Sequence, residues 1–218
     1  MKTDDELRRD VETELHWDPS IQAGDIGVAG KNGVITLTGR VSNYYEKWQA
    51  ERIAKRVTGV AGLANDIEVR LDTERTDADI AQAAALVLQM NTTIPSDRIK
   101  VIVANGWVTL EGQVDWYYQK SAAESDIRQL AGVKDVTNAI TIKPKVIPVD
   151  VRNQIEQAFK RNAQIDARRI SIETDGGKVI LRGIVRTWAE LSEAEATAWA
   201  APGVSEVENW LTVTYAVG

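Results

Sequence analysis

The sequence predicts an α+β protein of three tandem two-layer modules, each ordered helix, strand, strand, helix, strand, with two helices on a three-stranded mixed sheet. Three observations predict it. Alternating runs end on glycine three times, in Val34-Ile35-Thr36-Leu37-Thr38-Gly39, Trp107-Val108-Thr109-Leu110-Glu111-Gly112 and Val179-Ile180-Leu181-Arg182-Gly183. A Gly-Val pair follows each run, so that Gly39 and Gly59, Gly112 and Gly132, and Gly183 and Gly203 are all 20 positions apart. Asn-Gly or Gly-Gly precedes each run, as a tight hairpin turn requires.

Each module opens with a helix. Thr3 with Glu6 and Thr76 with Asp79 form capping pairs, while Pro148 and Asp150 mark the third start. Leu7, Val11 and Leu15 recur as Ile80, Ala84 and Leu88, then as Val151, Ile155 and Phe159, an i, i+4, i+8 stripe that faces a core. The hairpins turn at Lys31-Asn32-Gly33, Ala104-Asn105-Gly106 and Asp175-Gly176-Gly177. Where the second strand ends at Gly39, Gly112 or Gly183, the missing side chain predicts a bulge or a close backbone approach. A second helix starts at Asn43 with Glu46, at Asp115, and at Thr187 with Glu190, and Gly59, Gly132 and Gly203 stop it. Its inward column reads Ala50, Ala54, Val57, then Ala123, Ile127, Leu130, then Ala194, Ala198, Ala201. The last strand, Ala64 to Val69, recurs as Thr137 to Ile142 and Glu208 to Val213. The predicted boundaries are 1–73, 74–145 and 146–218.

Composition narrows the function. A 44% hydrophobic share with 27% charge describes a globular chain, and no apolar run approaches the roughly 20 residues a membrane-crossing helix needs. The acidic start Met1-Lys2-Thr3-Asp4-Asp5-Glu6-Leu7 has no export core, which points to the cytoplasm, or to the periplasm if a leader was removed. Zero cysteines exclude disulfides and thiol chemistry. The net charge of −6, with no basic third of the chain, disfavours nucleic acid. The lone histidine, His16, precedes Trp17 without a counterpart in the other modules, and a catalytic site would be a constellation. Asp4-Asp5-Glu6 reads as favourable charge at a helix start. We therefore expect no catalytic residues, no metal and no cofactor.

The closing glycines, the Gly-Val pairs and an Asn in each last strand carry a resemblance. Gly39, Gly59, Val60 and Asn65, then Gly112, Gly132, Val133 and Asn138, then Gly183, Gly203, Val204 and Asn209 resemble the BON domain, named for bacterial osmotically induced and nodulation proteins. The resemblance implies binding of phospholipid or membrane surfaces in envelope or osmotic-stress settings, and no catalytic set.

The candidate lipid or partner surface lies just after the closing glycines. It comprises Tyr44, Tyr45 and Trp48, then Trp116, Tyr117 and Tyr118, then Trp188, with Arg40, Arg182 and Arg186 nearby. Tyr and Trp join an apolar body to a polar tip, which suits a headgroup boundary and a protein interface alike. Positions 44, 117 and 188 form one aromatic column, whose commoner use is packing on its own sheet or on a neighbouring module. A basic stripe on the second helix, Lys47, Arg52, Lys55 and Arg56, is interrupted by Glu46 and Glu51, the pattern of an ordinary solvated helix face. The expected partner is an anionic phospholipid surface; the alternative is a scaffold that binds itself or another protein.

Overall fold

A computed structural model describes residues 2–70, 75–144 and 150–214. Both expected module boundaries, and the expected helix start at Pro148, lie outside the described residues. In the first module α1 (Asp4–Trp17) leads through a 3₁₀ turn (Ala23–Asp25) to β1 (Ile26–Lys31) and β2 (Val34–Val41), then α2 (Tyr44–Arg56) and β3 (Gly62–Val69). The second repeats this as α3 (Asp77–Met90), a 3₁₀ turn (Ser96–Arg98), β4 (Ile99–Ala104), β5 (Trp107–Val114), α4 (Tyr117–Arg128) and β6 (Asp135–Ile142). The third follows as α5 (Val151–Arg161), a 3₁₀ turn (Ala167–Arg169), β7 (Ile170–Asp175), β8 (Lys178–Val185), α6 (Trp188–Trp199) and β9 (Glu206–Val213).

In every sheet the second strand is central. β1 runs antiparallel to β2, whereas β3 runs parallel to it with Val34 opposite Gly62 and Val41 opposite Val69. A parallel neighbour needs a crossover, and α2 supplies it. The second module repeats the pattern, with Trp107 opposite Asp135 and Val114 opposite Ile142.

The alternation of β2 sends Ile35, Leu37 and Val41 inward, where they meet Leu7, Val11 and Leu15 of α1 and Ala50, Ile53 and Ala54 of α2. The equivalent core of the third module sets Phe159 on α5 with Ala194 and Ala198 on α6, all fully buried. The opposite sheet face carries exposed side chains, among them Val34, Thr38 and Arg40 in the first module and Ile102 and Trp107 in the second.

The hairpins turn through left-handed backbone, with φ of 54° at Asn32 and 76° at Gly33, and 54° at Asn105 and 82° at Gly106. The closing glycines mark a close approach: the ladder runs unbroken to Ile26 opposite Gly39, and a Cβ there would lie 2.0 Å from the Asp25 carbonyl oxygen. Gly112 and Gly183 stand against Arg98 and Arg169 in the same way, each at 2.1 Å.

Three local expectations need correction. α2 ends at Arg56, α4 at Arg128 and α6 at Trp199, so Gly59, Gly132 and Gly203 turn the chain toward the last strand and do not stop the helix. The start of α4 is capped at Trp116, one residue beyond Asp115; Gln119 Oε1 accepts the N–H groups of both at 3.1 Å, and Asp115 pairs with Arg98 at 3.2 Å. The last strands begin two residues earlier than expected, at Gly62, Asp135 and Glu206. Packing divides the chain into two compact units: the first module with residues 186–189 and 213–214, and the second module with most of the third.

Candidate functional site

The α2 helix positions the first aromatic group. Asn43 caps it by accepting the Glu46 N–H at 2.9 Å, and Glu46 turns back to accept from Ser42 at 2.7 Å and Asn43 at 2.6 Å, which leaves Glu46 buried. Glu51 is part-buried and accepts from Lys55 at 2.6 Å and from Asn65 at 3.3 Å. Burial pushes its carboxyl up, but the hydrogen bond and charge of Lys55, with the Asn65 hydrogen bond and the Lys47 charge, together outweigh that, and the net shift is downward.

With both acids occupied, the part-buried Tyr45 and Trp48 form a stripe on α2 with Arg52 and Arg56, at i, i+3, i+7 and i+11. The Tyr45 and Trp48 ring centres are 6.0 Å apart, and the Arg52 guanidinium lies 5.1 Å from the Trp48 ring centre. Arg52 and Arg56 are exposed.

The other candidate residues separate from this stripe. Arg40 and Arg182 project from the sheet face opposite the helices, where Arg40 lies 3.7 Å from Glu68 and Arg182 lies 3.5 Å from Glu173 and 5.7 Å from the Trp210 ring centre. Trp116 and Tyr118 are exposed at the start of α4. Between them Tyr117 is part-buried and stacks on Trp199 with ring centres 4.9 Å apart and planes 11° from parallel. Burial raises the Tyr117 hydroxyl pKa, and the Glu195 and Glu124 carboxylates add to the effect. Trp188 is part-buried and donates its indole N–H to the Val60 carbonyl at 3.0 Å. Tyr44 and Arg186 are part-buried or exposed beside helix starts, each with a partner of its own.

The Asn of each last strand is a clip between layers. Asn65 donates to the Lys47 carbonyl and to Glu51, and Asn138 donates to the Lys120 carbonyl at 2.9 Å and to Glu124 at 3.0 Å. Asn209 donates to Glu195 at 2.9 Å.

Sequence reasoning did not single out two further surfaces. Leu86 and Met90 stand exposed on α3, and the run Ala83-Ala84-Ala85-Leu86-Val87-Leu88, apolar around the whole helix, is the signal that marks them. A groove of about 590 Å³ opens between α5 and α6. It arises from side-chain size and has no motif.

Among the described residues no helix is long and apolar enough to cross a membrane. The chain is 30% identical over 146 residues to osmotically-inducible protein Y of Escherichia coli, covering 64% of this chain and 73% of that one. It is 31% identical over 140 residues to the outer membrane lipoprotein DolP of Haemophilus influenzae, covering 61% and 71%. A solved structure of CdsD, a structural protein of the type III secretion system of Chlamydia trachomatis, aligns over 96% of this chain and 92% of its own at 14% identity, with a TM-score of 0.28. The BON domain family model matches residues 3–70, 76–144 and 149–215. With that match spanning nearly the full length, the chain belongs to the BON domain family and carries the domain three times in tandem.

Proposed function

We propose that this chain is a non-enzymatic binding protein that associates with anionic phospholipid surfaces, in an envelope or stress-related role. The observation that carries the reading is the α2 stripe of Tyr45, Trp48, Arg52 and Arg56, beside which Glu46 is buried by its cap and Glu51 is paired with Lys55 and Asn65. Interfacial aromatics beside outward arginines suit a headgroup layer, where each basic residue contributes about 1 kcal/mol. The relatives support the setting, one by its osmotic induction and the other by its outer-membrane attachment. Flotation with phosphatidylglycerol-containing vesicles tests it against phosphatidylcholine alone, at low and physiological salt. Binding to the anionic vesicles that weakens with salt is expected; no binding in either condition overturns the reading.

A second reading, a self-associating or partner-binding scaffold, is favoured by the exposed Leu86 and Met90 on α3. Light scattering over a concentration series tests it, and a monomer throughout, with no partner co-purifying, removes it.

A further inference from the structure

We infer that the groove between α5 and α6 is a binding site for a fatty-acid anion. The volume of about 590 Å³ lies within the range of small-molecule sites. Its apolar lining is Ala158 on α5 with Ala196, Ala200, Ala201 and Pro202 on and beyond α6. The rim supplies donors: the amides of Asn153, Gln154 and Gln157, and the exposed guanidinium of Arg161. Arg161 has no ion pair among the described residues, whereas the one acid of the lining, Glu193, accepts a hydrogen bond from Asn162 at 2.7 Å. An apolar trough with a free cation at its mouth complements one alkyl chain ending in a carboxylate.

Comparison of the modules explains why the space exists here. Ala158, Ala196 and Ala200 correspond to Glu14, Arg52 and Arg56 in the first module and to Val87, Ser125 and Gln129 in the second. Three long side chains of the first module are thus cut to methyl groups in the third, while Phe159 stays buried in the core beneath. The site is separate from the α2 stripe and does not depend on it.

The test is an NMR titration of the full chain with monomeric decanoate, with uncharged decyl maltoside as the control. Decanoate is expected to shift the amides of Gln154, Gln157, Ala196 and Ala200 saturably. Ala200→Phe fills the trough from an exposed position and weakens decanoate on the order of tenfold or more. Should that variant not fold, Ala196→Gln serves in its place. Arg161→Gln weakens decanoate by roughly fivefold and leaves the maltoside unaffected. Vesicle flotation of Ala200→Phe stays as in the parent chain, which separates this site from the membrane reading. Absence of groove shifts, or equal binding of both probes with a silent Arg161→Gln, overturns the inference.

Discussion

The carboxylate of Asp4, at the start of α1, accepts the backbone N–H of Gly33 at 2.9 Å, and its other oxygen takes that of Asn32 at 2.8 Å. One side chain thus holds the helix start to the hairpin turn, satisfying two donors that the left-handed turn points outward. Asp77 does the same for Asn105 at 2.7 Å and Gly106 at 2.8 Å.

These hydrogen bonds, from Gly33 first and Asn32 second, hold the Asp4 pKa below its ordinary value of 3.8. A lowered native pKa means that the contribution is complete above 3.8 and fades as pH falls through the native value. Asp4→Asn is expected to lower Tm at neutral pH and to flatten the acid limb of a Tm-against-pH curve. Equal Tm values at neutral pH would show that the clip is only geometric.

Two glycines of one module separate crowding from backbone strain. At Gly183, φ is +139° and a Cβ would meet the Arg169 carbonyl at 2.1 Å, so Gly183→Ala is expected to cost about 3 kcal/mol or more. Gly176 has φ of +56° with nothing within 4 Å of an added Cβ, so Gly176→Ala carries only the left-handed cost of about 1 kcal/mol. Urea denaturation of both variants checks the ratio. Similar losses would mean that the 3₁₀ turn yields.

The Tyr117–Trp199 stack joins the second and third repeats within one compact unit. A double-mutant cycle of Tyr117→Ala and Trp199→Ala is expected to show a coupling of about 0.5–1.5 kcal/mol in thermal unfolding. Additive losses would mean that the rings touch without stabilising one another.

How far these features could be read in the sequence depends on how local their causes are. Element order, hairpin turns and the helix stripes follow from spacings within one module, and the capping pairs Thr3–Glu6 and Thr76–Asp79 are present as read. Asp115 misled because an aspartate is a good cap, while the side chain that serves the start of α4 is Gln119, four residues on. The interruption of the α2 stripe by Glu46 and Glu51 is complete in one dimension and reduced in three, because capping buries Glu46 while Glu51 is part-buried and held by Lys55 and Asn65. Arg40 and Arg182 are near the aromatics in sequence, yet strand alternation puts them on the other face. The α5–α6 groove depends on three alanines whose effect appears only when the two helices are set side by side.

The α2 stripe makes the sharpest prediction for membrane association, because its polar and apolar parts respond differently to salt. Arg52→Ser and Arg56→Ser each remove about 1 kcal/mol of attraction to an anionic surface, so the double variant is expected to bind phosphatidylglycerol vesicles about thirtyfold more weakly at low salt. That difference shrinks at physiological salt as the charges are screened. Trp48→Ala removes buried ring area at the headgroup boundary, and its loss is expected to persist at both salt concentrations. Arg40→Ser, on the opposite sheet face beside Glu68, is the control and leaves binding unchanged. If Arg40→Ser weakens flotation as much as Arg52→Ser does, the contact surface is the open sheet face, and the α2 stripe is a solvated helix side.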